Sequence, residues 1–306
     1  MGTLQTSLQG FDNEVYLTET IPSLFSEAQQ AAPKVFMDGG GLVSMVSSRT
    51  KRALYTWLSQ APSMKLWEGE RQIKENSGNE FTVSVSKFEL TLGIDADDMA
   101  DAAEVDSFAG EVAAAGDSAG QHPDTLIWDF LSTQGTTAVG YDGVPLLATN
   151  HPLKNGPNYS NLIAGGGQPA WYLLDTRARA KGLIWQVRED YTTRVIMAEA
   201  EGNTVGFMTD KHLFGVKARV AVAPGDPRRI LKSEDALTEA NFKTAWTQMR
   251  EFDGDEGRPV IVTPTVLMVP PSLEFTAKAL MNSALVGGGN TNDLVGMATV
   301  IVNPYL

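Results

Sequence analysis

The sequence predicts an α+β protein, and three stretches carry that prediction. "FTVSVSKFELTLGI" (81–94) alternates apolar and polar residues at the period of a strand. "DADDMADAAEVDSFAGEVAAAGDSAGQHPDTLIWDFLSTQ" (95–134) is rich in alanine and acid and lacks proline until Pro123, so it reads as helix, in two pieces. "LMVPPSLEFTAKALM" (267–281) hands an apolar strand to a helix across two prolines. Strands dominate the order and need non-local pairing, which favours α+β over a repeating βαβ pattern.

Residues 1–50 are mostly irregular, with weak helical patterning near Glu14–Ala31 and a "DGGG" break at Asp38–Gly41. They read as an arm running over the surface. In 81–94, Phe81, Val83 and Val85 share one phase, and Phe88, Leu90, Leu92 and Ile94 the other. The switch at Ser86–Lys87 implies a bulge or a strong local twist. At about 3.3 Å per residue such a strand spans about 45 Å. With a partner near Leu66–Lys74 and a "KENSGNE" turn it makes a long hairpin, which needs another surface to lie on. "YDGVPLLATNHP" gives an Asp-Gly turn between short strands. "WYLLD", "GLIWQVRED" and "LFGVKARVAVA" read as strands of one sheet between 171 and 223. Thr238 can cap a helix whose Phe242, Ala245, Trp246 and Met249 form one face. "FDGDEGRP" is a loop, followed by the strand Val266–Val269 and a helix over Ser272–Met281. That helix is expected to bury Leu273, Ala277, Leu280 and Ala284, with Ser272 as a helix-start residue; "GMATVIVN" is the last strand.

The 306 residues are 42% hydrophobic, enough for one large or two ordinary domains. No apolar run approaches the roughly 18 residues of a membrane span. The N-terminus lacks the basic start and apolar run of a secretion signal, so synthesis in the cytoplasm is expected. There is no cysteine, which removes disulfides, thiolate metal sites and cysteine nucleophiles. From Phe88 to Leu153 there are twelve acidic residues and no Lys or Arg, which accounts for all but one unit of the net charge of −13. Basic clusters stand at Arg49–Arg52, Arg177–Lys181 and Arg228–Lys232. The acidic segment is either a solvated face or a surface that meets basic surface on another copy. So acidic a chain is a poor wrapper of nucleic acid.

"GDSAG" (116–120) matches the G-x-S-x-G pattern, but a helical pattern precedes it, not the strand a nucleophile elbow needs. A Gly-rich joint between two helix pieces explains the same letters. "DADDMAD" and "DGDEG" lack the glycine and glutamate spacing of a calcium loop. The glycine triples lack dinucleotide-loop spacing, and there is no P-loop. His122 and His151 each precede proline, and structural roles are expected for both. No metal or cofactor site is expected. Without a base, nucleophile and orienter, the chain reads as built for association.

Several segments together resemble the major head subunit (gpT-type) of Mu-like tailed phages and prophages. They are "YTWLSQAPSMKLWEGER", "KFELTLGIDADDMAD", "QHPDTLIWDFL", "WYLLDTRARAKGLIWQVRED", "LFGVKARV", "DEGRP", "LMVPPSLEFTAKALM" and the terminal "VNPYL". The resemblance runs from about residue 50 to the C-terminus. It implies the HK97-like capsid fold. In that fold 1–50 is an N-terminal arm and 64–94 an extended-loop hairpin. A peripheral domain takes 51–63 and 95–140, with a spine helix at about 106–134, and its sheet and connections take 141–234. An axial domain takes 235–306.

The implied function is a major capsid protein. Copies would self-assemble into hexamers and pentamers of an icosahedral head around double-stranded DNA. Implied partners are other copies, a scaffold or protease, the portal, and decoration or minor head proteins, with DNA held by proximity and no membrane involved. The implied location is the virion and no catalysis is implied. Candidate inter-subunit residues are Trp67, Arg71, Lys74, Asp97, Asp98, Asp101, Arg177, Arg179 and Lys181. The alternatives are an encapsulin-like compartment shell and, more remotely, a serine hydrolase using Ser118 with His151 or His212.

Overall fold

The computed structural model describes residues 15–37, 41–49, 52–54, 81–100, 102–153, 156–198, 204–254, 257–286 and 290–306. In chain order its elements are α1 (Ile21–Ala31), β1 (Ser44–Ser47), β2 (Arg52–Leu54), β3 (Thr82–Ser84), β4 (Ser86–Asp95), α2 (Ala102–Asp129), β5 (Leu162–Ile163) and β6 (Trp171–Leu174). Then come β7 (Leu183–Ile196), α3 (Thr204–Thr209), β8 (Lys211–Pro224), β9 (Ile230–Ser233), α4 (Glu239–Arg250), β10 (Val266–Val269), α5 (Glu274–Asn282), β11 (Leu285–Val286), β12 (Asn290–Thr291) and β13 (Thr299–Val302). The described strands form a four-stranded sheet in the order β1-β7-β8-β4, a five-stranded sheet in the order β13-β10-β6-β9-β5, and two short pairs. The mixture of separate helices and non-local sheets is α+β, as the strand-rich order demands.

The chain divides into two compact units. One gathers 1–34, 86–123 and 189–220. Its core is Leu17, Ile21 and Phe25 of the N-terminal helical stretch, Ile94 of β4, Val105, Phe108 and Val112 of α2, and Phe214 and Val216 of β8. α1 follows from its sequence: Ile21 and Phe25 repeat one turn apart, and a wider helical turn over Tyr16–Thr20 runs directly into it, so Pro22 sits within a continuous helical stretch. These side chains are fully buried, so this part of the expected surface arm is docked on its own unit.

α2 runs unbroken over 28 residues with Pro123 inside it, where two pieces are expected. Its "GDSAG" is therefore no joint. A Cβ on Gly116 would lie 2.5 Å from the Phe25 carbonyl oxygen, and one on Gly120 would lie 2.5 Å from Ala32 Cβ. One helical turn apart, the two glycines let α2 lie against the backbone of α1 and its C-terminal end.

The phase switch in 81–94 is real and divides the stretch into two strands. Val83 is buried in β3, while Phe88, Leu90, Leu92 and Ile94 turn inward from β4. The two strands also have different partners. β3 pairs antiparallel with β2, Arg52 opposite Ser84. β4 pairs antiparallel with β8 over ten residues, from Ser86–Val220 to Asp95–Lys211. The single long hairpin over 64–94 is thus corrected at its C-terminal side: 86–95 belongs to an intramolecular sheet. Its expected partner, Leu66–Lys74, lies outside the described residues. The hydrophobic alternation showed a switch but not which distant strand each half would find.

The second unit gathers 35–85, 124–188 and 221–306. β6 is buried at all four positions because it lies inside the five-stranded sheet, antiparallel to β10 and β9. The expected single sheet over 171–223 is instead shared between two: β6 joins the five-stranded sheet, and β7 and β8 the four-stranded one. α4 has the predicted cap, Thr238 Oγ1 accepting from the Asn241 N–H at 3.2 Å, and the predicted face, with Phe242, Ala245, Trp246 and Met249 buried. The strand-to-helix corner also forms. β10 is fully buried and pairs in parallel with β13. Pro271–Leu273 then makes a 3₁₀ turn before α5. Ser272 is exposed and gives no capping bond at either N-terminus. α5 buries Ala277 and Met281, with Leu273 and Leu280 half-buried and Ala284 exposed.

Candidate assembly surfaces

Ser118 lies in the middle of α2, exposed, and no hydrogen bond joins it to a histidine among the described residues. Asp142 and Asn161 hold His151, at 2.7 Å from Nδ1 and 3.0 Å from Nε2, and its ring stacks on Tyr159. His212 is buried, and its Nδ1 accepts from the Ala198 N–H at 3.2 Å. Both expected partners of Ser118 are therefore engaged in holding local structure. Among the described residues no group of three or more His, Asp or Glu is arranged to hold a metal, and no helix is long and apolar enough to cross a membrane.

His122 lies in a cavity of about 170 Å³ bounded by α1, β4, α2, β7 and β8. Its Nδ1 is 2.6 Å from Tyr191 Oη, and its ring meets Phe88 edge-on. Burial lowers its pKa from the ordinary 6.5. Folding then favours the neutral ring. His122's contribution to stability is full above about pH 6.5 and is lost as pH falls from there through the lowered folded value. Urea midpoints at pH 7.5 and 5.5 should differ less in His122→Gln than in the parent chain.

The basic clusters separate into different kinds. Arg228 is buried, its Nε 2.8 Å from Asp226 and its Nη2 donating to Tyr141 Oη at 2.9 Å. Burial alone would lower its pKa, but Asp226 and Tyr141 outweigh that and hold the guanidinium charged. Arg229 pairs with buried Asp175 at 2.6 Å, and Lys232 with Glu234 at 2.8 Å. The cluster at 228–232 is thus neutralised internally. Arg177 and Arg179 are exposed and line an open cavity of about 430 Å³ with Met37, Gly41, Met45 and Lys181. Lys181 donates through Nζ to the Gly41 carbonyl, and burial lowers its pKa.

The acidic segment is mostly outward. Glu89, Asp97, Asp98, Glu104, Asp106, Glu111, Asp117 and Asp129 are exposed. Asp124 is the exception: it is buried and accepts from the backbone N–H groups of Val35 and Phe36. Of the candidate contact residues, Asp97, Asp98, Arg177 and Arg179 are on the surface and Lys181 is half-buried. Trp67, Arg71, Lys74 and Asp101 lie outside the described residues. Exposed apolar side chains missed in the sequence include Phe275, 83% exposed, and Ile261, 85% exposed. Helical spacing alone set Phe275 off the buried face of α5, but nothing local marked Ile261.

The β2–β3 pair adds a topological fact. The chain leaves this ladder after Leu54 and returns to it at Thr82, so the intervening stretch begins and ends at neighbouring points.

A family model described as the Mu-like prophage major head subunit gpT matches residues 16–306, nearly the whole chain. The chain belongs to this family. It is 32% identical over 278 residues to the major capsid protein of Escherichia phage Mu, covering 87% of this chain and 90% of that one. It is 28% identical over 271 residues to the major head subunit of the Mu-like prophage FluMu of Haemophilus influenzae, covering 85% and 86%. Its fold matches a chain of the bacteriophage JBD30 procapsid with a TM-score of 0.76 at 28% identity, over 94% of this chain and 96% of that one. A chain of the JBD30 capsid matches at a TM-score of 0.75 and 20% identity, over 100% and 98%. The fold is therefore the HK97-like capsid fold. As a member of the head-subunit family the chain is a major capsid protein of the phage virion, and the encapsulin-like and hydrolase alternatives are not favoured.

Proposed function

We propose that copies of the chain assemble into hexamers and pentamers of an icosahedral head that encloses double-stranded DNA. The observation that carries this reading is the near-complete match, in sequence and in fold, to head-shell subunits. The chain acts by packing, without catalysis. Its partners are other copies, with a scaffold or protease, the portal, and decoration or minor head proteins joining them.

Within this reading the stretch that leaves and returns at β2–β3 is the extended loop, so Trp67, Arg71 and Lys74 contact a neighbouring subunit. α2 is the spine helix of the peripheral domain. The five-stranded sheet with α4 and α5 forms the axial part, where the rigid double proline after β10 fixes a corner repeated around a ring. The acidic residues Asp97, Asp98 and Asp101 and the basic residues Arg177, Arg179 and Lys181 belong to inter-subunit contacts. The acidic surface otherwise repels the genome and keeps it from sticking to the wall.

Replacing 55–80 with a short Gly-Ser turn tests the reading by sedimentation velocity. The β2–β3 ends are adjacent, so the shortened chain should keep its fold by circular dichroism. It should lose the fast-sedimenting assemblies that the parent chain forms. Equal assembly by both chains would count against the role of the loop.

A further inference from the structure

Among the described residues the Arg177–Lys181 cluster keeps outward charge beside a concave surface, while the Arg228–Lys232 cluster is neutralised internally. Arg177 and Arg179 stand two residues apart on the rim of the 430 Å³ cavity. Asp175 cannot neutralise that rim. Its carboxylate is buried and already accepts from Arg229 Nη1, the Thr263 N–H and the Arg177 N–H, and Arg177 Nε lies only loosely against it at 3.5 Å. Arg179 forms no salt bridge among the described residues. Met45, 67% exposed, offers apolar surface beside them.

The chain also carries the complement. The turn after β4 exposes Asp97 and Asp98 side by side, and Asp95 shapes it by accepting the Asp97 N–H at 3.1 Å. Neither Asp97 nor Asp98 forms a salt bridge among the described residues. The carboxylates of α2 fit the cavity less well. At 3.6 residues per turn Glu104 and Glu111 fall at one edge of its outer face, and Asp106 and Asp117 near its middle, roughly 140° further round. Two adjacent aspartates on a convex turn can instead meet two guanidinium groups at once, each pair able to bond through both oxygens.

We propose that the Arg177–Arg179 cavity receives the Asp95–Asp98 turn of a second copy. The proposal rests on the shell reading and names the surfaces by which two copies meet. Such a contact selects register between copies and weakens with salt.

Charge reversal tests it in the full chain, with urea midpoints checking that each variant folds. Arg177→Glu with Arg179→Glu should raise the concentration needed for assembly by roughly tenfold or more at low salt, because like charges then face each other. Asp97→Lys with Asp98→Lys should do the same. The chain carrying all four changes should return to within about threefold of the parent, since the complementarity is restored in the opposite sense. Neutral Arg177→Gln with Arg179→Gln should weaken assembly less and flatten its salt dependence. Reversed chains that assemble like the parent at low salt would overturn the proposal, as would a four-fold variant that is no better than either pair. Normal shells that take up less DNA would also overturn it, making the cavity a phosphate site. A parent chain that never assembles would overturn the shell reading itself.

Discussion

Replacing Gly116 and Gly120 together with alanine is expected to destabilise the protein by about 2–3 kcal/mol. Intrinsic helix propensity argues the opposite sign, since Gly→Ala within a helix gains about 1 kcal/mol per site. Packing decides against it. The new methyl groups would meet the Phe25 carbonyl and Ala32 Cβ at 2.5 Å, and the Gln29 carbonyl at 2.6 Å. Two of these neighbours are backbone atoms, which cannot rotate away as a side-chain tip does. α1 must then shift off α2, withdrawing Ile21 and Phe25 from the core they fill. Once α1 has shifted for one methyl the second costs less, so the pair falls short of the sum. Gly110 supplies the control. It lies on the same helix with nothing within 4 Å of an added Cβ, so Gly110→Ala should stabilise by about 0.5–1 kcal/mol. Urea unfolding of the three chains checks the signs. A double replacement that stabilises would mean that α1 does not dock there.

Trp171→Ala should cost about 3–5 kcal/mol, the usual price of deleting a buried aromatic ring. Trp171 is fully buried in β6, inside the five-stranded sheet. Its ring stacks on Phe242 of α4 at 6.5 Å, and its Nε1–H donates to the Asp235 carbonyl at 2.8 Å. Removing the ring leaves a cavity between sheet and helix and strips that carbonyl of its donor. Trp171→Phe keeps much of the volume and loses the hydrogen bond, so it should cost clearly less. Thermal or urea unfolding separates the two variants. Equal losses would place the energy in the hydrogen bond and not in the packing.

Local rules carried part of this fold and stopped where distance along the chain began to matter. The cap at Thr238 and the buried face of α4 were legible because both lie within one helix. The buried strand Val266–Val269 was legible because a short apolar run bounded by proline has few other uses. The phase switch after Val85 was legible too, but its partners, β2 for one half and β8 for the other, lie far away in sequence. The same limit hid the division of β6 from β7 and β8. "GDSAG" misled because glycine signals a break locally, whereas Gly116 and Gly120 answer to α1 nearly a hundred residues earlier. Among the basic clusters the sequence showed charge but not neutralisation. Only the folded chain shows that Asp226, Tyr141 and Asp175 have claimed Arg228 and Arg229, while Arg177 and Arg179 face outward.

Electron cryo-microscopy of the purified full chain, at low salt and over a range of concentrations, decides whether copies form a shell through these surfaces. Closed shells or hexameric and pentameric rings in which this fold repeats are expected, with the Asp95–Asp98 turn of one copy at the Arg177–Arg179 cavity of the next. A chain that stays monomeric at every concentration, alone and with its scaffold or protease partner, would contradict it.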